Sequence, residues 1–269
     1  MSYLHGYSER ESDRLRHQAT FLARWVLNDR PLVGARRILE IGSGVGAQTE
    51  LLLDCYPGAH VVAVEREPAN YHELTAWLAQ RPSAAHRVSA VHADARELPA
   101  DLESCDAAYV CWVLEHVEHP VELLGAIRQH LVRGARLLVQ EVFNRSWTVH
   151  PTPSTRLTSY VRAFDTLQER FGGDPNVGSK LGQLLHEAGY VDIVTSALLI
   201  QVDDRDPAER AAMFDYLAEL YRSAEGGLVA AGMATEADGE AAQEELRRLG
   251  RTPGVVFHYT AVRALARTA

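Results

Sequence analysis

The residues best suited to chemistry stand in an ordered series along the first half of the chain. Glu40-Ile41-Gly42-Ser43-Gly44-Val45-Gly46 follows a short apolar run and precedes a helical pattern that includes Gln48. Glycines at such a turn let the backbone approach a ligand closely, and the first turn of the next helix offers N–H groups without partners of their own. Glu65, twenty-one residues after Gly44, ends the next apolar run and is followed by Arg66. A carboxylate there can accept hydrogen bonds from both hydroxyls of a ribose. Asp94, in Val91-His92-Ala93-Asp94-Ala95, can accept from the exocyclic amine of an adenine or cap a helix. The chemistry is that of holding a nucleoside. Because Gly42-x-Gly44-x-x-Ala47 also satisfies a dinucleotide fingerprint, a nicotinamide cofactor is a second reading of the same residues.

Beyond these lie residues suited to a reacting partner. His116, in Cys111-Trp112-Val113-Leu114-Glu115-His116-Val117, is a candidate general base, since an imidazole takes up a proton near neutral pH. Glu141, in Val139-Gln140-Glu141-Val142-Phe143-Asn144, ends another apolar run and is a candidate for orienting a cationic or amine group. Phe143, Asn144, Trp147 and Tyr160 are candidate substrate contacts. Tyr160, Phe164 and Phe171 can share one helix face, a spacing that in most helices means core.

The elements that must position these groups alternate regularly. Apolar runs predict strands at 37–41, 60–65, 87–92, 106–112 and 135–142, with helical patterns at 46–54, 68–80 and 119–131. Such alternation, with strands apolar throughout, predicts a doubly wound α/β fold with a mostly parallel sheet. Residues 151–172 and 177–188 read as helices, 191–202 as a strand and 255–264 as the final strand. At the N-terminus, residues 7–28 carry Ser8 and Glu11 in capping-box spacing, then Leu15, Ala19, Leu22 and Trp25 at helical intervals. The expected organisation is an N-terminal helical lid (1–34), a core (35–204 and 252–269) and a helical cap inserted before the last strand (205–251).

Composition narrows the partners. A net charge of -9 disfavours a nucleic-acid substrate, whose binding depends on cations neutralising phosphates. There is no apolar run long enough for a membrane span and no signal-peptide pattern, so a cytoplasmic protein is expected. Cys55, Cys105 and Cys111 lack metal-ligand spacing, and no metal is expected. Of 27 basic residues only Lys180 is a lysine, a usage pointing to a GC-rich bacterial source.

Taken together, the glycine loop, Glu65, Asp94 and the 111–117 segment resemble the class I S-adenosylmethionine (SAM) dependent methyltransferase family. The resemblance spans roughly residues 36–200 and the closing strand. It implies a Rossmann-like fold with seven strands, one of them antiparallel, and SAM as cofactor. It also implies that Gly42, Ser43 and Gly44 line the methionine part, Glu65 holds the ribose, Asp94 and Ala95 meet the adenine, and Cys111 and Trp112 lie near the methionine end, with Glu40, Gln48 and Arg66 as further cofactor contacts. Tyr3-Leu4-His5-Gly6-Tyr7-Ser8-Glu9-Arg10-Glu11 and Arg14-Leu15-x-x-Gln18-Ala19 are similar to a bacterial small-molecule subgroup common in natural-product pathways. That similarity implies a lid helix whose Tyr7 and Gln18 contact SAM, and in some relatives exchange of the helix between subunits, hence a homo-oligomer. The loop Gly172-Gly173-Asp174-Pro175-Asn176-Val177-Gly178 resembles one bordering the substrate pocket in that subgroup, which makes Asn176 a further candidate contact.

The expected activity is methyl transfer from SAM to a carbon, nitrogen or oxygen of a small metabolite, with bacterial secondary metabolism as the setting. A non-catalytic SAM-binding module, or a cyclase or decarboxylase on the same fold, are the alternatives. An oxidoreductase is disfavoured because Lys180, the one lysine, forms no Tyr-x-x-x-Lys pair.

Overall fold

The apolar run 37–41 becomes an interior strand because both of its faces need cover: Ile38 and Leu39 point to opposite sides and each is fully buried. The computed structural model describes residues 6, 9–27 and 29–269. The expected cofactor contact from Tyr7 and the expected cap at Ser8 lie outside these residues. The chain runs α1 (Glu9–Val26), β1 (Arg37–Ile41), α2 (Ala47–Cys55), β2 (His60–Glu65), α3 (Pro68–Ala79), α4 (Pro82–Ala85) and β3 (Val88–His92). It continues through β4 (Cys105–Cys111), α5 (Pro120–Gln129), β5 (Leu131–Glu141), β6 (Thr148–His150), α6 (Thr155–Arg170), α7 (Leu181–Glu187) and β7 (Tyr190–Val202). Helices α8 (Pro207–Ser223), α9 (Glu225–Ala230) and α10 (Glu236–Arg251) precede β8 (Val256–Thr268).

The sheet order β3-β2-β1-β4-β5-β8 places β1 at the point where the winding reverses, the place where ligands settle in open α/β sheets. β8 is antiparallel to β5, β6 and β7, while the pairs from β3 to β5 are parallel. The fold is thus the expected Rossmann-like α/β arrangement with one reversed strand. It has eight strands where seven were expected. The additional strand, β6, pairs with the first residues of β8: beyond the stretch paired with β5, Val256 to His258 face Thr148 to His150.

Two helices start later than periodicity predicts. α6 begins at Thr155 because Pro151 and Pro153 cannot donate to a helix, and Ser154 caps it by accepting from Leu157 N–H at 3.1 Å. Residues 177–180 form a tight 3₁₀ turn before α7. There, Gly178 lies so close to the preceding strand end that a Cβ would sit 2.6 Å from the Val142 carbonyl oxygen. Helices α8, α9 and α10 leave the sheet after β7 and return at β8. They pack on one another and on α6, with Phe214 fully buried among them. No helix among the described residues is long and apolar enough to cross a membrane.

Candidate active site

A cavity of about 310 Å³ opens at the carboxyl ends of β1, β2, β3 and β4, and extends beneath α1 and α8. Its size suits a small-molecule pocket. One end is made by the glycine loop. Gly42 and Gly44 both take the left-handed conformation (φ 68° and 55°), and a Cβ on Gly42 would lie 2.6 Å from Val113 Cγ2. The loop therefore packs against the segment after β4 as only glycine permits. Ser43 lies between them on the cavity wall, 4% exposed, with its hydroxyl oxygen buried and without a hydrogen-bond partner among the described residues. A buried hydroxyl in that condition is stabilised by a ligand that supplies the missing bond.

At the tip of β2, the Glu65 carboxylate accepts from Gly44 N–H (2.8 Å) and Glu67 N–H (2.6 Å). Burial raises its pKa, while the backbone donors oppose that rise. Asp94 follows β3 and accepts from the Arg96 backbone N–H (2.9 Å) and from its guanidinium (2.7 Å and 3.0 Å). The Arg96 hydrogen bond leads the causes that hold Asp94 down at about 2. Arg66 lies 3.8 Å from the same carboxylate. Gln48, Ala95, Cys111 and Trp112 complete this end with Gln18 of α1. Trp112 has φ 53°, a conformation costly for a bulky residue and most often retained where a site requires it.

The structure thus brings together Gln18, Gly42, Ser43, Gly44, Gln48, Glu65, Arg66, Asp94, Ala95, Cys111, Trp112, His116, Asn144 and Trp147 around one space. It separates others from it. Glu40 does not line the cavity; it is 1% exposed behind the glycine loop, where Thr49 Oγ1 donates to it at 2.7 Å. Glu141 does not face the crevice either. It is fully buried, and its carboxylate accepts from Val113 N–H (2.9 Å), Leu114 N–H (2.7 Å) and Glu115 N–H (3.4 Å), which ties down the turn that carries His116. Tyr160 is core, with its hydroxyl directed at the Tyr221 carbonyl oxygen. Phe143 is a backbone partner, donating its N–H to the Tyr259 hydroxyl. Asn176 accepts from Arg145 N–H, and its loop braces the Glu115 turn from outside, through Asp174 N–H donating to the Glu115 carbonyl oxygen. These five were expected at the site because strand and loop ends flank it; the side chains of Glu40 and Tyr160 turn to the core, those of Glu141 and Asn176 to backbone N–H groups, and Phe143 does not line the cavity.

Several wall residues were not singled out from the sequence. Arg14 shares the inward face of α1 with Gln18 and Leu22, a spacing of four that periodicity makes visible. Its guanidinium donates twice to Glu11 (2.7 Å and 2.6 Å) and once to Gln18 (2.6 Å). Met213, Tyr216, Leu217, Leu220 and Tyr221 come from α8, and Phe257, Tyr259 and Ala261 alternate along β8. Each group has the correct periodicity for its element, but nothing local says that the face meets a cavity. Of the expected lid residues, Leu15 and Leu22 line the cavity, whereas Trp25 packs edge-on to Phe21.

The position of Glu40 makes a pH effect measurable. Burial raises its pKa from 4.5 to about 8, with the Thr49 bond opposing and the Glu65 charge adding to the rise. The folded protein therefore holds this proton more tightly than the unfolded chain does. The contribution to stability is complete below pH 4.5 and falls as pH rises towards about 8, by up to about 1.4 kcal/mol per pH unit. Glu40→Gln, which keeps an acceptor for Thr49, is expected to flatten that dependence. Its melting midpoint should exceed the parent's by more at pH 8 than at pH 5.

Residues 39–139 match the family described as a methyltransferase domain. A demethylmenaquinone methyltransferase from Clavibacter sepedonicus is 33% identical over 174 residues, covering 60% of this chain and 68% of that protein. A trans-aconitate 2-methyltransferase from Methylobacterium radiotolerans is 29% identical over 191 residues, covering 71% of this chain and 66% of that one. The chain thus spans about two thirds of the length of these relatives. Among solved structures, the YcgJ protein from Bacillus subtilis superposes with a TM-score of 0.57 at 12% identity, over 94% of this chain and 98% of that one.

Proposed function

We propose that this chain, which belongs to the class I SAM-dependent methyltransferases, transfers the methyl group of SAM to a carbon, nitrogen or oxygen atom of a small, largely apolar metabolite. The observation that carries this reading is one continuous cavity with two chemically distinct ends. One end holds the unpartnered Ser43 hydroxyl, the Gly42–Gly44 backbone, Glu65 and Asp94, all suited to an adenosine and an amino-acid tail. The other is walled by Trp147, Phe164, Tyr216, Tyr221, Phe257 and Tyr259.

SAM supplies a methyl group already activated on a sulfonium, so the protein's work is alignment and exclusion of water. Glu65 would accept from the ribose hydroxyls, and Asp94 with Ala95 would meet the adenine. Arg14 and Gln18 on α1 line the same cavity and would meet the carboxylate of the methionine tail. α1 and α8 roof the cavity, which supports a lid that opens to admit ligands. His116 lies on the wall of the acceptor end and would take a proton if the acceptor still carries one at attack. A polycarboxylate acceptor, as named for the Methylobacterium relative, fits poorly. The wall arginines belong to the cofactor end: Arg66 and Arg96 share Asp94, and Arg14, paired with Glu11, would face the methionine tail. The similarity of the N-terminal motif to the natural-product subgroup supports a place in bacterial secondary metabolism.

Calorimetry with SAM, S-adenosylhomocysteine (SAH) and NAD tests the cofactor assignment. Micromolar binding of the first two without NAD is the expected result. NAD binding in place of SAM would overturn it, since the Gly42–Gly46 loop would then be serving a pyrophosphate.

A further inference from the structure

At the acceptor end of the cavity, no arginine or lysine among the described residues pairs with the Glu115 side chain, and that feature narrows the acceptor. Glu115 lies on the wall with a side chain only 12% exposed. Its Oε2 accepts from Gln168 Nε2 at 2.7 Å, and its Oε1 lies 3.9 Å from His116 Nε2. Neither contact is with a permanent cation. Of the wall arginines, Arg14 pairs with Glu11 while Arg66 and Arg96 share Asp94 at the opposite end, and no lysine lines the cavity among the described residues. Glu141 is buried behind the same turn, its carboxyl pushed up first by burial and then by the Glu115 charge, and Asp165 of α6 holds the amide of Asn144 at 2.8 Å. Burial first, and then the Glu115 charge, push the Tyr259 hydroxyl up, so the field of Glu115 reaches the aromatic wall. Aromatic faces attract cations in their own right, and more so when water is excluded.

We infer that the acceptor is an amine on an aromatic or apolar body, its ammonium held between Glu115 and the aromatic rings, and that nitrogen is the atom methylated. The inference rests on the methyl-transfer reading above and deepens it. The step balances without a further reagent. The bound ammonium gives one proton to His116, and the freed nitrogen lone pair forms the C–N bond as the methyl–sulfur bond breaks. The sulfur keeps that electron pair, and the product leaves as the methylated ammonium. The role first expected of Glu141 thus passes to Glu115, which stands on the cavity wall.

The test is equilibrium binding of three probes of similar size to the SAH-saturated protein: 2-phenylethylamine, 2-phenylethanol and 3-phenylpropionate. The amine is expected to bind at least tenfold more tightly than the alcohol, with the carboxylate weakest. In Glu115→Gln, which retains an acceptor for Gln168, that tenfold preference should disappear. Alcohol or carboxylate binding as tight as the amine, or no amine binding to a protein that does bind SAH, would overturn the inference. Failure of SAH itself to bind would instead overturn the methyl-transfer reading. The comparison within the unmodified protein decides the matter even if the variant does not fold.

Discussion

Replacing Glu141 with alanine is expected to lower the melting midpoint by about 10 °C and to remove most methyl-transfer activity. The carboxylate is the shared acceptor for the N–H groups of Val113, Leu114 and Glu115. Alanine would leave these donors without a partner around a buried turn. At about 1–3 kcal/mol for each group left unsatisfied, and with the Glu115 N–H bond long at 3.4 Å, the loss lies towards the low end of the sum, about 3–5 kcal/mol in total. A chain of this size loses roughly 2–4 °C per kcal/mol. The same turn carries Trp112 in its left-handed conformation and presents Glu115 and His116 to the cavity, so its relaxation reaches the acceptor end directly. Glu141→Gln keeps one carbonyl oxygen for these donors and should fall between the parent and the alanine variant. Thermal denaturation with and without SAH measures the effect. A Glu141→Ala protein with unchanged stability would show that the turn is held by other contacts.

Glu65→Ala should weaken SAH binding by about 1.5–3 kcal/mol, the range for charge-assisted hydrogen bonds, or roughly ten- to more than a hundredfold in Kd. Two effects act together. The ribose hydroxyls lose their acceptor, and Gly44 N–H loses the 2.8 Å bond that shapes the loop. Burial raises the Glu65 pKa. Binding in the parent should therefore weaken on acidification at a pH above that at which an ordinary glutamate protonates, and the alanine variant should lack that dependence. Calorimetry across a pH series reads both results. An affinity unchanged by the substitution would mean that the ribose lies elsewhere.

The nucleoside end was largely legible in the sequence because its geometry is local. A strand end followed by glycines, and strand ends bearing acids, place Gly42, Glu65 and Asp94 on one edge of the sheet whenever parallel strands pair in order. Strand β2 has the boundaries its apolar run predicts, and so does β1. The acceptor end was much less legible. Whether Glu141 or Glu115 faces the cavity depends on how the segment after β4 turns, and that turn is set by its packing against Gly42 and by braces from α6 and the 172–178 loop. The aromatic wall is assembled from α6, α8 and β8, elements far apart in the chain, each with an apolar face that would serve equally well as core.

The order of chemical groups along the chain, the α/β class and the sheet edge that carries Gly42, Glu65 and Asp94 were determined by the sequence alone, because spacing within a strand and its following turn fixes where side chains emerge. Which acid lines the cavity, which aromatic residues are wall rather than core, and the closing of the cavity by α1 and α8 were decided only in the tertiary structure. These depend on contacts between distant segments, where burial, hydrogen-bond satisfaction and steric fit at Gly42 and Gly178 select one arrangement among several that the local pattern allows.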